Sequence, residues 1–252
     1  MTDTPSPAGR VALVSGGTSG IGRAAALALA GDGCRVMIAG RDRARGEAVV
    51  AAVEDAGGEA AFVAADLRRP EEIEAMVAAT LARFGRLDVA FNNAGFQEAR
   101  APLADQPAEV YDAVFDTNVR AVFLAMRAEI AAMGGAGGVI VNNASVTGVR
   151  NAYPGLSLYA ASKAAVLAMT RAAALEYGPA GIRINAVSPG RIETPMMLAS
   201  GVADMSVVAG GLPARRLGQP EEVAAAVVWL ASPAAAFVVG HNLCVDGGFL
   251  AG

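Results

Sequence analysis

Tyr159 and Lys163 stand four positions apart in Tyr159-Ala160-Ala161-Ser162-Lys163, a separation that puts a phenol and an ammonium on one helical face, one turn from each other. Tyr-x-x-x-Lys pairs are common. This one is sharpened by Lys163 being the only lysine among the 20 basic residues, all the others being arginine. The site calls for a compact, strongly hydrated point charge where a planar guanidinium serves elsewhere. A phenol with a reference pKa of about 10 is a poor acid or base at neutral pH, but a nearby ammonium and a cationic cofactor ring both favour the phenolate. Lowering it by about 3 units takes on the order of 4 kcal/mol, within reach of a desolvated charge pair plus such a ring. Tyr159 is thus expected to exchange a proton with a carbonyl oxygen. Ser145, just past the apolar run Val139 to Val141, is placed to hydrogen-bond the same oxygen and hold it in line for hydride transfer.

The elements that must position this pair begin with residues 11 to 31. There Val11-Ala12-Leu13-Val14 runs into Ser15-Gly16-Gly17-Thr18-Ser19-Gly20-Ile21-Gly22 and then into an Ala/Leu-rich helix. Gly16 allows a tight turn, Gly20 lets the backbone approach a ligand, and Gly22 lets helix and strand pack closely, with the helix N-terminus aimed at whatever lies over the turn. A pyrophosphate is the natural occupant. The spacing Gly-x-x-x-Gly-x-Gly differs from the commoner Gly-x-Gly-x-x-Gly and lacks the Gly-Lys-Ser/Thr ending of a P-loop.

The second strand, Arg35 to Ala39, ends in Gly40-Arg41, where an acidic residue would bind a ribose hydroxyl and an arginine accommodates a 2′-phosphate. With Arg43 and Arg45 following, the field favours NADP(H) over NAD(H); Asp42 could still find a ribose hydroxyl, and the arginines could also be a solvated helix start. Ala60 to Ala64 is a third strand ending in Ala65-Asp66-Leu67, where Asp66 either bonds an adenine amino group or starts the turn before Pro70. Pro70 to Phe84 reads as a helix, Leu87 to Phe91 as strand four, and Asn92-Asn93-Ala94-Gly95 after it as a polar knot at the cofactor cleft. Pro107 to Met133 reads as one long helix whose Asn118 either faces solvent or has a polar task inside. A long loop from Val146 to Ser157 precedes a helix from Leu158 to Tyr177. Ile182 to Ser188 is strand six, Glu221 to Ala231 the last helix, and Asn242 to Val245 the closing strand.

Strand and helix patterns alternating without a linker over 252 residues point to a single α/β domain, with residues 1–9 as a frayed tail and the segment 191–218 without clear periodicity. A hydrophobic content of 54% promises a large core. A net charge of -4 gives no basic footprint for nucleic acid or membrane phosphate. Val223 to Gly240, interrupted by Ser232-Pro233, reads as a buried helix and a break, not as a membrane span. His241 is the only histidine, which excludes a Ser-His-Asp hydrolase and any His/Cys metal cluster. Cys34 and Cys244 sit in apolar strand contexts and read as buried reduced thiols, consistent with a cytoplasmic protein.

Together these motifs resemble the short-chain dehydrogenase/reductase family, in its common tetrameric form. Ser15-Gly16-x-x-x-Gly20-x-Gly22 resembles the family's cofactor turn, with serine where threonine is usual. Asn92-Asn93-Ala94-Gly95 resembles its strand-four motif, and Asn118, Ser145, Tyr159 and Lys163 its catalytic tetrad. Pro189-Gly190 with Ile192 and Thr194 resembles its nicotinamide-contacting segment. The resemblance runs from about Val11 to Gly248 and implies a Rossmann-like doubly wound fold, about seven parallel strands with helices on both faces. It implies Tyr159 as acid/base, Lys163 on the ribose hydroxyls and lowering the Tyr159 pKa, Ser145 orienting substrate, and Asn118 holding a relay water. It also implies a homotetramer with the last long helices and the C-terminal segment at the interfaces. Cofactor contacts are expected from Gly16, Thr18, Ser19, Gly20, Ile21, Gly22, Arg41, Asp66, Leu67, Asn93, Ala94, Gly95, Tyr159, Lys163, Pro189, Gly190, Ile192 and Thr194, with no metal.

The segment 191–218 carries Met196, Met197, Leu198, Val202, Met205, Val207 and Val208 among small residues, the composition of an apolar flap or of a subunit contact. With Phe96, Val149 and Tyr153 it would enclose an uncharged, apolar ketone or secondary alcohol. Members of the resembled family acting on carrier-protein thioesters tend to be basic where the central helix ends. Here Met133-Gly134-Gly135-Ala136-Gly137 is bare. The alternatives are a non-catalytic NADP-binding regulator or scaffold, against which the intact tetrad argues, and a methyltransferase, which has no need of the Tyr159/Lys163 pair.

Overall fold

The computed structural model describes residues 9–150, 154–200 and 204–252. Seven strands form one sheet in the order β3-β2-β1-β4-β5-β6-β7, every neighbouring pair parallel. They are β1 (Val11–Ser15), β2 (Arg35–Gly40), β3 (Ala60–Ala64), β4 (Val89–Asn92), β5 (Gly138–Asn143), β6 (Ile182–Pro189) and β7 (Asn242–Val245). The helices are α1 (Gly20–Gly31), α2 (Arg43–Asp55), α3 (Pro70–Phe84), α4 (Ala108–Phe115), α5 (Ala121–Met133), α6 (Ser157–Tyr177), α7 (Pro195–Leu198), α8 (Met205–Gly210) and α9 (Pro220–Ala231).

The continuous apolar runs are buried on both faces, as parallel strands under crossover helices must be. Alternate residues feed two cores. Leu13, Met37, Ile140 and Ile184 pack with Ile73, Met76 and Met126 of α3 and α5. Val14, Ile38, Val141 and Val187 pack with Leu29, Val49, Val227 and Leu230 of α1, α2 and α9. α3 shows why the element boundaries could be read: Pro70 opens it, Glu71 and Glu72 occupy its first turn, and Gly85 closes it at φ 81°, a conformation that favours glycine.

Four expectations need correction. The stretch from Pro107 to Met133 is not one regular helix, because residues Asp116–Arg120 form a π-helical turn between α4 and α5. That turn inserts an extra residue and swings Asn118 fully inside. The segment 191–218 is not featureless: Thr194 caps α7 by accepting from the Met197 N–H, and Asp204 caps α8 through the Ser206 N–H. Cys34 is buried, its thiol pushed up to about 11 by desolvation, but Cys244 is only partly so; both are free. Strand four starts two residues late, at Val89. Among the described residues no helix is long and apolar enough to cross a membrane. The tail residues 1–8, Tyr153 and Val202 lie outside the described residues.

Candidate active site

The sheet order reverses between β1 and β4, and the cleft opens at their carboxyl ends. It measures about 530 Å³. Side chains sew its floor together. Ser15 Oγ accepts from the Asn93 N–H at 3.1 Å, Asn93 Nδ2 donates to the carbonyls of Ser15 and Gly16 at 3.2 and 3.1 Å, and Asn143 Nδ2 donates to Asn93 Oδ1 at 2.9 Å. Asn92 instead points away from the cleft, into a buried chain in which its amide donates to Glu129 Oε2 and Asn142 Oδ1, each at 3.0 Å. Glu129 is fully buried and its Oε1 has no hydrogen-bond partner among the described residues; desolvation pushes its carboxyl up to about 7.

Gly16 turns at φ 64°, and a Cβ on it would sit 2.8 Å from Ala94 Cα. α1 then begins without help from its own side chains: Ser19 makes no capping bond and the first turn holds no acid. Its open N–H groups face the cleft, whose wall includes Ser19, Gly20 and Ile21, so a pyrophosphate fits this turn. Arg41 lines the far end with no hydrogen bond or ion pair among the described residues. Asp42 is committed elsewhere, capping α2 through the Arg45 N–H at 3.0 Å and pairing with Arg45. Asp66 is clamped by Arg68, whose hydrogen bonds hold its carboxyl down at about 2. Arg43 is paired with Glu47 at 3.3 Å.

At the other end Tyr159, Lys163 and Ser145 meet. The Ser145 hydroxyl shares the cleft with the Tyr159 phenol and acts on it to favour the phenolate. Lys163 is 3% exposed, its Nζ donates to the Asn143 carbonyl at 2.7 Å and lies 5.7 Å from the Tyr159 ring centroid, and burial pushes the ammonium down to about 8. In the chain without a cofactor the phenol is not acidified. Burial pushes Tyr159 up to about 12, the Ser145 hydroxyl opposes that, and the Glu98 carboxylate adds to it.

Of the expected site residues, all but two line the cleft. Gly22 packs behind the turn, where a Cβ would fall 2.2 Å from the Gly16 carbonyl oxygen. Asn118 lies beneath the site, its Oδ1 accepting from the Phe96 N–H at 2.7 Å and its Nδ2 donating to the Phe96 carbonyl at 2.8 Å and to Ser162 Oγ at 3.0 Å. Phe96, Met196 and Met197 form the apolar wall; Val149, Leu198, Met205, Val207 and Val208 do not reach it.

Sequence reasoning missed Glu98, whose buried Oε1 accepts the Tyr159 N–H at 3.0 Å, and Asn143, whose carbonyl holds Lys163. It also missed Thr147, bonded to Ser145, and Ser162, whose hydroxyl donates to the Tyr159 carbonyl at 2.7 Å. Only Asn143 carried a signal, Asn142-Asn143 echoing Asn92-Asn93 on the neighbouring strand.

Residues 16–250 match the family model described as Enoyl-(Acyl carrier protein) reductase. Among similar proteins, 2,5-dichloro-2,5-cyclohexadiene-1,4-diol dehydrogenase of Sphingobium indicum is 44% identical over 96% of this chain and 98% of its own. Cyclohexanol dehydrogenase of an Acinetobacter species is 40% identical over 95% and 94%. The solved structure of a short chain dehydrogenase from Burkholderia cenocepacia in complex with NADP superposes with a TM-score of 0.90 at 36% identity, covering 96% of this chain and 98% of that one. Motifs, sheet order and relatives agree along almost the whole sequence, and the chain belongs to the short-chain dehydrogenase/reductase family of enzymes acting between alcohols and carbonyls.

Proposed function

We propose that this chain is an oxidoreductase that interconverts an apolar ketone and its secondary alcohol, with NADP(H) preferred over NAD(H). The observation that carries the reading is the meeting of Tyr159, Ser145 and Lys163 in the same cleft onto which the uncapped α1 N-terminus opens. When bound, the nicotinamide supplies or takes up the hydride and, oxidised, adds positive charge beside the phenol. Ser145 and Tyr159 hold the reacting oxygen between two hydroxyls, and Tyr159 gives it a proton in reduction or takes one in oxidation. Lys163, anchored on Asn143, binds the ribose hydroxyls and contributes the charge that offsets the buried phenolate.

Arg41, without a hydrogen bond or ion pair among the described residues, supports the 2′-phosphate, as does the commitment of the adjacent Asp42 to its helix cap and of Asp66 to Arg68. The wall of Phe96, Met196 and Met197 favours a compact apolar ring, as the six-membered ring alcohols named for the two enzyme relatives suggest by analogy. Exposed Leu175, Trp229, Phe237 and Val239 support assembly as a homotetramer through the last helices and the C-terminal segment.

The test is a panel of cyclic ketones and alcohols followed by coenzyme absorbance, with Tyr159→Phe as the control. Calorimetry with NADPH and NADH tests the coenzyme half: Arg41→Ala should remove the preference for NADPH. Equal affinity of the unaltered chain for both coenzymes would overturn it.

A further inference from the structure

Ser145 Oγ has two hydrogen-bond contacts to Thr147 and shares the cleft with the Tyr159 phenol, and these neighbours restrict where its single proton can point. Ser145 caps a short turn at Val146–Gly148, so one lone pair accepts from the Thr147 N–H at 3.2 Å. The Thr147 hydroxyl lies 2.8 Å away on the same oxygen and has no other partner among the described residues. The remaining neighbour in the cleft is the Tyr159 phenol, whose pKa the Ser145 hydroxyl holds down against the effect of burial. A hydroxyl offers one donor and two acceptor positions, and the backbone N–H has already taken one acceptor. One proton and one lone pair remain for Thr147 and Tyr159, so Ser145 can donate to one and accept from the other.

We propose that Thr147 is a positioning residue that works through Ser145, closing a chain of hydroxyls whose direction reverses as Tyr159 gains or loses its proton. With Tyr159 protonated and donating to Ser145, the serine donates to Thr147. With Tyr159 as phenolate, Thr147 donates to Ser145 and the serine proton turns to the phenolate or to the reacting oxygen. Both hydroxyls rotate and neither gives up its proton; the only proton transferred is the one between Tyr159 and the substrate oxygen. Without the Thr147 hydroxyl the phenolate arrangement loses its second donor to Ser145, and the serine becomes a weaker hydrogen-bond donor when it is most needed. The charged groups around this chain are Lys163 from α6, Glu98 from the segment after β4, and Arg191, which lines the cleft after β6. Arg150, beyond Thr147 on the same segment, is bonded to the Phe249 and Gly252 carbonyls.

The inference rests on the proposed function, and the experiment separates the two. Tyrosinate absorbance is titrated in the NADP⁺-bound protein, with Tyr159→Phe in each background subtracted to isolate Tyr159, and alcohol oxidation is measured alongside. Thr147→Val keeps the side-chain shape and removes the hydroxyl. It should raise the Tyr159 pKa by about half a unit to one unit and lower kcat about 3- to 10-fold, with KM and NADP⁺ affinity within about 2-fold. Thr147→Ser should restore both values. An unchanged titration in Thr147→Val, or no rescue by serine, overturns the inference while leaving the proposed function intact. A chain that does not bind NADP⁺, or a Tyr159→Phe variant with undiminished turnover, overturns both.

Discussion

The side chain of Asn118 takes up both backbone groups of Phe96, Oδ1 accepting from its N–H and Nδ2 donating to its carbonyl, as a neighbouring strand would. Asn118 is 0% exposed and sits in the π-helical turn, so this bracket ties a helix irregularity to an aromatic of the substrate wall, with Ser162 and through it Tyr159 on the same amide. Such turns persist where their strain serves a site.

Asn118→Leu, similar in size and unable to bond, leaves the Phe96 groups and Ser162 without these partners, at about 1–3 kcal/mol for each group that water cannot reach. Turnover should fall by more than about 10-fold while NADP⁺ affinity stays near that of the unaltered chain, because Asn118 does not line the cleft. Steady-state kinetics beside calorimetry checks this; equal losses in coenzyme binding and turnover would count against the bracket.

What could be read from sequence follows from locality. The Tyr159/Lys163 pair is a helical period away from itself, and a sole lysine makes it conspicuous. The strands are continuous apolar runs, the glycine turn is contiguous, and Pro70 and Gly85 punctuate α3. Glu98 and Thr147 were invisible for the opposite reason, and Asn143 showed only as an echo of Asn92-Asn93, which does not say what it does. Glu98 meets Tyr159 across 61 residues, Asn143 acts through its carbonyl, which every residue possesses, and the Thr147 hydroxyl matters only once Ser145 caps the turn between them. The π-helical turn has no periodicity of its own to betray it, so Pro107 to Met133 reads as unbroken helix. The pKa of Tyr159 depends on a sum of burial and charges that only the folded site defines.

Glu98 raises the phenol pKa while holding the backbone of the same residue. Glu98→Gln keeps an oxygen to accept the Tyr159 N–H and removes the charge. With Tyr159 as the proposed base, oxidation needs the phenolate and its kcat/KM should rise with pH through the Tyr159 pKa; the variant should shift that rise to lower pH. In reduction, which needs the phenol, activity should begin to fall at lower pH than in the unaltered chain. Paired pH profiles in the two directions check the sign, and a shift to higher pH would contradict it.

Glu129 gives a pH dependence of stability rather than of activity. Its carboxyl goes from 4.5 to about 7 on burial, so the folded chain holds a proton that the unfolded chain has released. That contribution is complete below about pH 4.5, declines as pH rises, and is lost above about 7; over 2 to 3 units it amounts to about 3 kcal/mol. Glu129→Gln has no such titration and keeps an acceptor for the Asn92 amide. Denaturant unfolding between pH 5 and 8, conditions chosen to span roughly this window, should show stability falling more steeply in the unaltered chain than in the variant. Parallel curves would mean the carboxyl is not buried as drawn.

Gly22 tests the cofactor turn from behind, at a residue that does not itself line the cleft. A Cβ there would meet the Gly16 carbonyl oxygen at 2.2 Å and Asn93 Nδ2 at 2.4 Å. The first is backbone inside the turn, and the second is held by two carbonyls and by Asn143, so neither can swing aside. Gly22→Ala must therefore push α1 off the turn and take its open N–H groups with it, at a strain of about 1–3 kcal/mol. NADP⁺ affinity should drop by more than about 10-fold, while Gly31→Ala at the other end of the helix, where a Cβ meets nothing within 4 Å, should leave it unchanged. If both variants bind NADP⁺ as the unaltered chain does, the pyrophosphate does not sit on this turn.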